Sequence, residues 1–268
     1  LKTLIVQSDI RDQTIFENQP NSNDYVNALE IAKNSVRVWA DKNGYDYHCS
    51  VTPVLAEHTF DDIRKYTPCS AYYEFQKLFQ DISDYDRICW LDPDVVVLGN
   101  PQLDDSWFSI RYNGKLAGTP HLRPNSGCFY GCKQAFTDLY NYAKQQLSYE
   151  TRNPDYQAWL DADVSPKRNS TQALMTFWVA QHTNSIKPMT KHLHTFFTYD
   201  TINNNSFVHL VGNNKYFKLC LLRWLLKADD VTRAIMYDIL NAQEVDEVQH
   251  TNKWYLEQGL ANKQFVLT

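Results

Sequence analysis

Two carboxylates, Asp92 and Asp94, flank one proline directly after the apolar run Arg87-Ile88-Cys89-Trp90-Leu91. Along a strand, residues i and i+2 point to the same side, so the pair is expected to address one ion. Two charged oxygen donors with open positions suit Mg2+ or Mn2+, which favour oxygen ligands and leave places for phosphate oxygens. A bare Asp-x-Asp is also a common solvated turn. The frame lifts this one above that reading: an apolar strand before it, and Val95-Val96-Val97-Leu98-Gly99-Asn100-Pro101 after it.

A second constellation lies far along the chain, in Phe207-Val208-His209-Leu210-Val211-Gly212-Asn213-Asn214-Lys215. An apolar strand ends on a histidine, a glycine follows three residues later, and a lysine three after that. The imidazole can complete a Mn2+ shell, Gly212 permits a close backbone approach to phosphate, and Lys215 neutralises phosphate oxygens. A lone histidine in a strand usually does none of this. The spacing, in a chain that also carries the Asp pair, makes the signal sharper.

The elements that must hold these residues follow from periodicity. Residues 1–7 (LKTLIVQ) read as a buried strand ending in Ser8 and Asp9. Asp24 can cap a helix through Ala28, Ile31, Ala32, Val36 and Trp39, stopped at Gly44. Residues 45–51 read as a second strand, Ser70 opens a helix bearing Tyr73, Lys77, Leu78 and Ile82, and 87–91 form a third strand. This β-α-β-α-β order predicts an α/β fold, a mainly parallel central sheet flanked by helices. Ligands of such sheets sit beyond the carboxyl ends of the strands, where Ser8, Asp9, Asp92 and Asp94 all fall.

Further on, the pattern predicts a strand at 115–119, a turn-rich 121–126 followed by 127–131, and helices near 134–147, 156–160 and 171–182. Short strands near 186–188 and 207–211 are expected to complete the sheet. The tail, 216–226 and 230–242, has helical spacing. With no repeat or linker, one catalytic domain over 1–216 with a helical extension over 217–268 is the simplest division.

Composition narrows the function. Of 268 residues 43% are hydrophobic and 21% charged, an ordinary globular balance. A net charge of −5 excludes a general basic field for gripping nucleic acid or anionic lipid. Six scattered cysteines, Cys49, Cys69, Cys89, Cys128, Cys132 and Cys220, lack the paired spacing of a zinc site and read as free thiols. No apolar run reaches the ~20 residues of a membrane span, and no cleavage pattern follows residues 1–6. A cytoplasmic setting is expected, or a secretory lumen if an N-terminal anchor has been trimmed. The sequons at Asn169 and Asn204 are expected by chance in so Asn-rich a chain.

The two motifs together, apolar-Asp92-x-Asp94-Val-Val-Val and His209-x-x-Gly212-x-x-Lys215, resemble those of GT-A glycosyltransferases. The likeness is greatest to retaining enzymes of the glycogenin and lipopolysaccharide galactosyl- and glucosyltransferase kind. Asn34, Ala40 and Gly44-Tyr45 resemble their first helix and strand. The resemblance covers about residues 1–216. It implies a GT-A (Rossmann-like) domain and a metal-dependent glycosyltransferase of glycan biosynthesis. Its cofactor would be Mn2+ or Mg2+, its donor a nucleotide-diphosphate sugar, by default UDP-linked, and its acceptor a carbohydrate or glycoconjugate.

Position by position, the resemblance implies that Asp92, Asp94 and His209 ligate the metal, with Asp92 also meeting the ribose. Gly212 and Lys215 would hold the diphosphate, Ser8 and Asp9 the nucleoside, and Lys77 the donor phosphate or the Asp pair. Asn125-Ser126-Gly127 resembles the Asn-(Ala/Ser)-Gly element lining the donor sugar, and Gln172 the amide beneath the reacting sugar. Relatives often carry an acidic residue before that glutamine, where this chain has Thr171. Retention is favoured because a phosphate oxygen can then take the acceptor's proton. An inverting enzyme needs a carboxylate base, for which Asp155, Asp161 and Asp163 are available.

Two other readings compete. Leu91-Asp92-Pro93-Asp94-Val95-Val96 also resembles the nucleophile motif of haloacid-dehalogenase-like phosphatases, with Asp92 as nucleophile and Asp229-Asp230 as the later acidic pair. In those enzymes the motif ends the first strand, whereas about ninety residues precede it here. A non-catalytic sugar-nucleotide or carbohydrate-binding protein is the third possibility, since function belongs to the site and not the fold.

Overall fold

The computed structural model describes residues 1–8, 22–50, 82–146, 149–162, 171–196, 204–210 and 222. The chain starts in β1 (Thr3–Ser8), followed by α1 (Ser22–Asn43) and β2 (Asp46–Ser50). Gly44 stops α1 at φ 66, a left-handed turn that L side chains resist. A short 3-10 turn (Ile82–Asp84) leads into β3 (Arg87–Leu91) and, past a tight turn, β4 (Val95–Leu98). Then come β5 (Phe108–Lys115), β6 (Leu122–Cys132), α2 (Lys133–Gln145), α3 (Pro154–Asp161) and α4 (Thr171–Gln181). Three short strands follow, β7 (Ile186–Pro188), β8 (His194–Phe196) and β9 (Ser206–His209). The helices expected after Ser70 and in the tail lie outside the described residues, as do Asp9, Lys77, Gly212 and Lys215.

Six strands form the main sheet in the order β2-β1-β3-β6-β5-β7. β1 runs parallel to both β2 and β3, and β5 parallel to β7. β6 runs antiparallel to both its neighbours, so the parallel character expected from the sequence is confined to the two flanks. The α/β architecture, a central sheet with helices on it, is as expected.

Both faces of the sheet are covered, which is why β1 and β3 are near-continuously apolar. Alternation sorts them. Leu4, Val6, Ile88, Trp90, Phe108, Ile110 and Phe129 pack against α2, α3 and α4. Ile5, Cys89, Leu91, Cys128 and Tyr130 face Val36, Trp39 and Ala40 of α1. Cys49, Cys89, Cys128 and Cys132 are free thiols.

Several details differ from the sequence expectation, beginning with α1, which starts at Ser22 and so holds Asp24 inside it instead of being capped by it. The stretch 121–126 is strand, part of β6, although it holds Pro124, Asn125 and Ser126. Pro124 sits opposite Tyr112, where the β5–β6 register shifts, and an irregular ladder tolerates a residue without an N–H. Consequently β5 ends at Lys115, and 116–121 forms the turn expected further along. Finally, β9 does not join the main sheet. It lies in a second, three-stranded sheet ordered β4-β9-β8.

Candidate active site

The small sheet builds the site. β3 ends at Leu91, and the chain turns through Asp92-Pro93-Asp94, with Val95 N donating to Asp92 O at 3.0 Å. The Asp pair therefore lies in a turn and not along a strand, and the i, i+2 argument is replaced by a turn that folds both carboxylates to one side. β4 then pairs antiparallel with β9, Val95 opposite His209. Leu210 N donates to Asp94 O at 3.1 Å, which locks the far motif onto the near one.

The outcome is a three-residue cluster. One ligand atom from each of Asp92, Asp94 and His209 lies within 4.8 Å of the others. Nε2 of His209 is 3.2 Å from Oδ1 of Asp94 and 3.7 Å from Oδ2 of Asp92. Asp94 and His209 are each 6% exposed, whereas Asp92 is half-buried.

This donor set fits a divalent cation. Neighbouring ligands of an octahedral ion at ~2.1 Å are about 3.0 Å apart, close to the spacings found. Electrostatics points the same way. Two carboxylate charges ~4 Å apart repel by roughly 4 kcal/mol at an effective dielectric of 20, and a cation between them reverses the sign. Asp92, Asp94 and His209 are the residues that would hold it.

Backbone contacts set the rest of the geometry. Asp92 N donates to Gly127 O at 2.8 Å, so Gly127 of β6 faces the turn. Gly127 has no side chain for a clear reason. A Cβ there would lie 2.1 Å from Cε1 of His209 and 2.9 Å from Oδ2 of Asp92. Asn125 is buried, and its Oδ1 accepts from Gly127 N at 2.9 Å. Ser8 ends β1 opposite Ser50 on the same carboxyl edge. Thus Ser8, Asp92, Asp94, Asn125, Ser126 and His209 gather at one edge of the fold. Gln172 begins α4, which packs along β6, and its carbonyl accepts from the Thr176 hydroxyl.

Sequence reasoning passed over three residues that shape this edge. Gln7 is fully buried, donates through Nε2 to Asp92 O at 3.0 Å and accepts from Tyr47 OH at 2.8 Å. Its signal was a polar residue closing an apolar strand. His194 of β8 is fully buried against His209, their ring centroids 5.8 Å apart and their planes 18° from parallel. Burial pushes its imidazole well below the usual range, the neighbouring His209 and Arg111 push it further, and Asp94 opposes them. Arg111 of β5 donates from Nη1 to His194 O at 2.7 Å and lies 4.0 Å above the Phe196 ring. A histidine in His192-Leu193-His194 carries no spacing that would single it out.

No protein-family profile matches the chain, and no curated protein matches it in sequence. Solved structures do resemble it. A glycosyltransferase involved in the glycosylation of the major capsid of PBCV-1 is 13% identical, with 81% of this chain and 97% of that one covered and a TM-score of 0.51. The galactosyltransferase LgtC, solved with donor and acceptor sugar analogs, is 12% identical over 87% of this chain and 99% of that one, with a TM-score of 0.47. At these identities the first likeness establishes a GT-A-like fold, and the chemistry has to come from the site.

Proposed function

We propose that the chain is a metal-dependent glycosyltransferase that moves a sugar from a nucleotide-diphosphate donor, UDP-linked by preference, to a carbohydrate or glycoconjugate acceptor. The observation that carries this reading is the convergence of Asp92, Asp94 and His209 at the carboxyl edge of a GT-A-like sheet. A cation held there would supply positive charge to a departing diphosphate, where negative charge grows in the transition state.

The chain's own residues would do the remainder. Asp94 and His209 are buried and hold fixed positions, whereas half-buried Asp92 has a face left for the ribose. Ser8 and Asp9 would meet the nucleoside, and Lys77, Gly212 and Lys215 the diphosphate. Asn125, Ser126 and Gln172 would orient the sugar, since amides both donate to and accept from hydroxyls. Retention is the preferred outcome because it needs no protein base on the far face of the sugar. Residues 1–216 would form the catalytic domain, and 217–268 a helical extension upon it.

The test is thermal unfolding with a panel of nucleotide sugars, with and without Mn2+. A donor at 100 times its Kd should add about 2.7 kcal/mol, and only when the metal is present. Full transfer activity after exhaustive chelation would overturn the metal-dependent reading. The anomeric configuration of the product, read by NMR, decides retention.

A further inference from the structure

Behind the ligand cluster lie imidazole nitrogens that find no hydrogen-bond partner among the described residues. Among the described residues neither ring nitrogen of the fully buried His194 has a hydrogen-bond partner, and neither does Nδ1 of His209. Buried polar atoms are nearly always paired, so three orphans in one place call for an explanation.

The proton inventory of His209 supplies one. A neutral imidazole carries a single N–H. Nε2 of His209, 3.2 Å from Oδ1 of Asp94, is the nitrogen that faces the ligand cluster. A cation held there would take the Nε2 lone pair, and the ring's hydrogen would then stand on Nδ1. Histidines that ligate metals almost always give this second N–H to an acceptor, which fixes the tautomer and the ring plane. Around His209 stand the backbone of Gly127, the ring of Phe196 with its centroid 5.9 Å away, and the ring of His194. His194 has an uncommitted lone pair in either neutral tautomer.

We propose that His194 is a positioning residue for the metal ligand: it accepts the Nδ1 hydrogen of His209 when a cation occupies Nε2. The inference rests on the metal-binding reading above and adds to it a residue outside the ligand set. The ring centroids are 5.8 Å apart, and the bond would require the His194 ring to turn about its Cβ–Cγ bond. β8 is braced for the task, with Arg111 donating to the His194 carbonyl and Phe196 in register with His209.

The experiment is an EPR-monitored Mn2+ titration of wild type, His194→Phe and His194→Gln. Phenylalanine keeps the ring packing and removes the acceptor, whereas glutamine restores an acceptor oxygen. His194→Phe should bind Mn2+ about 10–100-fold more weakly, and His194→Gln should recover most of the loss. Equal affinity in folded His194→Phe and wild type would overturn the assignment while leaving the metal site standing. If wild type binds no Mn2+, the metal reading falls and this one with it. A measurement on the wild type guards against a variant that does not fold. With diamagnetic Zn2+ as the probe, 15N NMR should show the His209 hydrogen on Nδ1, scalar-coupled to a His194 nitrogen. A zinc-loaded protein lacking that coupling also overturns the proposal.

Discussion

Gly127 lies so close beneath the His209 imidazole that a Cβ on it would sit 2.1 Å from Cε1 and 2.6 Å from Nδ1. Because Gly127 belongs to β6 and its carbonyl takes the Asp92 N–H, its backbone has no freedom to retreat. The ring must yield instead. Gly127→Ala is therefore expected to cost about 1–3 kcal/mol of stability, as overpacking does, and to weaken Mn2+ binding by displacing His209. Calorimetric unfolding and Mn2+ titration check the two parts separately. An unchanged melting temperature together with unchanged affinity would mean that the contact is not tight.

Asp94 should show stability and binding moving in opposite directions. Its carboxylate is buried beside a second carboxylate, an arrangement that disfavours the metal-free fold. Asp94→Asn removes that repulsion and keeps an oxygen toward His209. The metal-free melting temperature should stay level or rise, while the Mn2+-induced shift disappears. A variant that melted lower without metal and still responded to Mn2+ would contradict the assignment.

How much of this was legible in the sequence depends on the range of the interaction. β3 was read to the residue, because the near-continuous apolar run from Arg87 to Leu91, bounded by Asp86 and Asp92, has few alternatives. The candidate ligands Asp92, Asp94 and His209 were also singled out, although the geometry that joins them was not. A turn and the β4–β9 ladder bring them together, and pairing across more than a hundred residues leaves no local trace. Pro124, Asn125 and Ser126 carry turn propensity that tertiary pairing with β5 overrides. Arg111 and His194 were invisible, and Gln7 nearly so, for another reason. Their roles come from burial among partners distant in the chain, and in sequence they look like any polar residue.

Gln7 gives a direct measure of that hidden layer. Its amide bridges the Tyr47 hydroxyl and the Asp92 carbonyl from a fully buried position. Gln7→Leu preserves bulk but removes the amide acceptor of the Tyr47 hydroxyl, which should cost about 1 kcal/mol. The Asp92 carbonyl keeps its bond from Val95 N, so metal affinity should fall less than stability. Chemical denaturation with unchanged midpoint would show that the bridge contributes nothing.

The buried thiols yield a pH prediction. Burial pushes the thiol of Cys89 above its usual range, and burial together with nearby Cys89 and Asp92 pushes that of Cys128 well above it. A raised thiol stays protonated, and unreactive, as pH climbs through its ordinary range. At pH 9 the native protein should leave both unlabelled by iodoacetamide, and denaturant should expose both. Mass spectrometry showing native labelling at either position would contradict their burial.

The amides proposed to meet the sugar call for a finer test, because Asn125 already has a structural duty. Its Oδ1 holds Gly127 N, the residue beneath His209, so Asn125→Ala should lower stability by about 1 kcal/mol whatever its part in catalysis. Asn125→Ser separates the two roles. A serine hydroxyl can accept from the N–H two residues on, though more weakly, and it withdraws the amide donor. This variant should melt near wild type and bind UDP as tightly. If the amide meets the donor sugar, turnover should nonetheless fall or sugar selectivity should change. Gln172 carries no such structural bond through its side chain among the described residues, and only its backbone carbonyl is engaged, by Thr176. Gln172→Ala should therefore leave both stability and UDP binding intact while turnover drops. Transfer rates and UDP affinity, measured on matched folded samples with several nucleotide sugars, read the outcome. Wild-type turnover and selectivity in both Asn125→Ser and Gln172→Ala would remove these two residues from the sugar site and leave the metal cluster untouched.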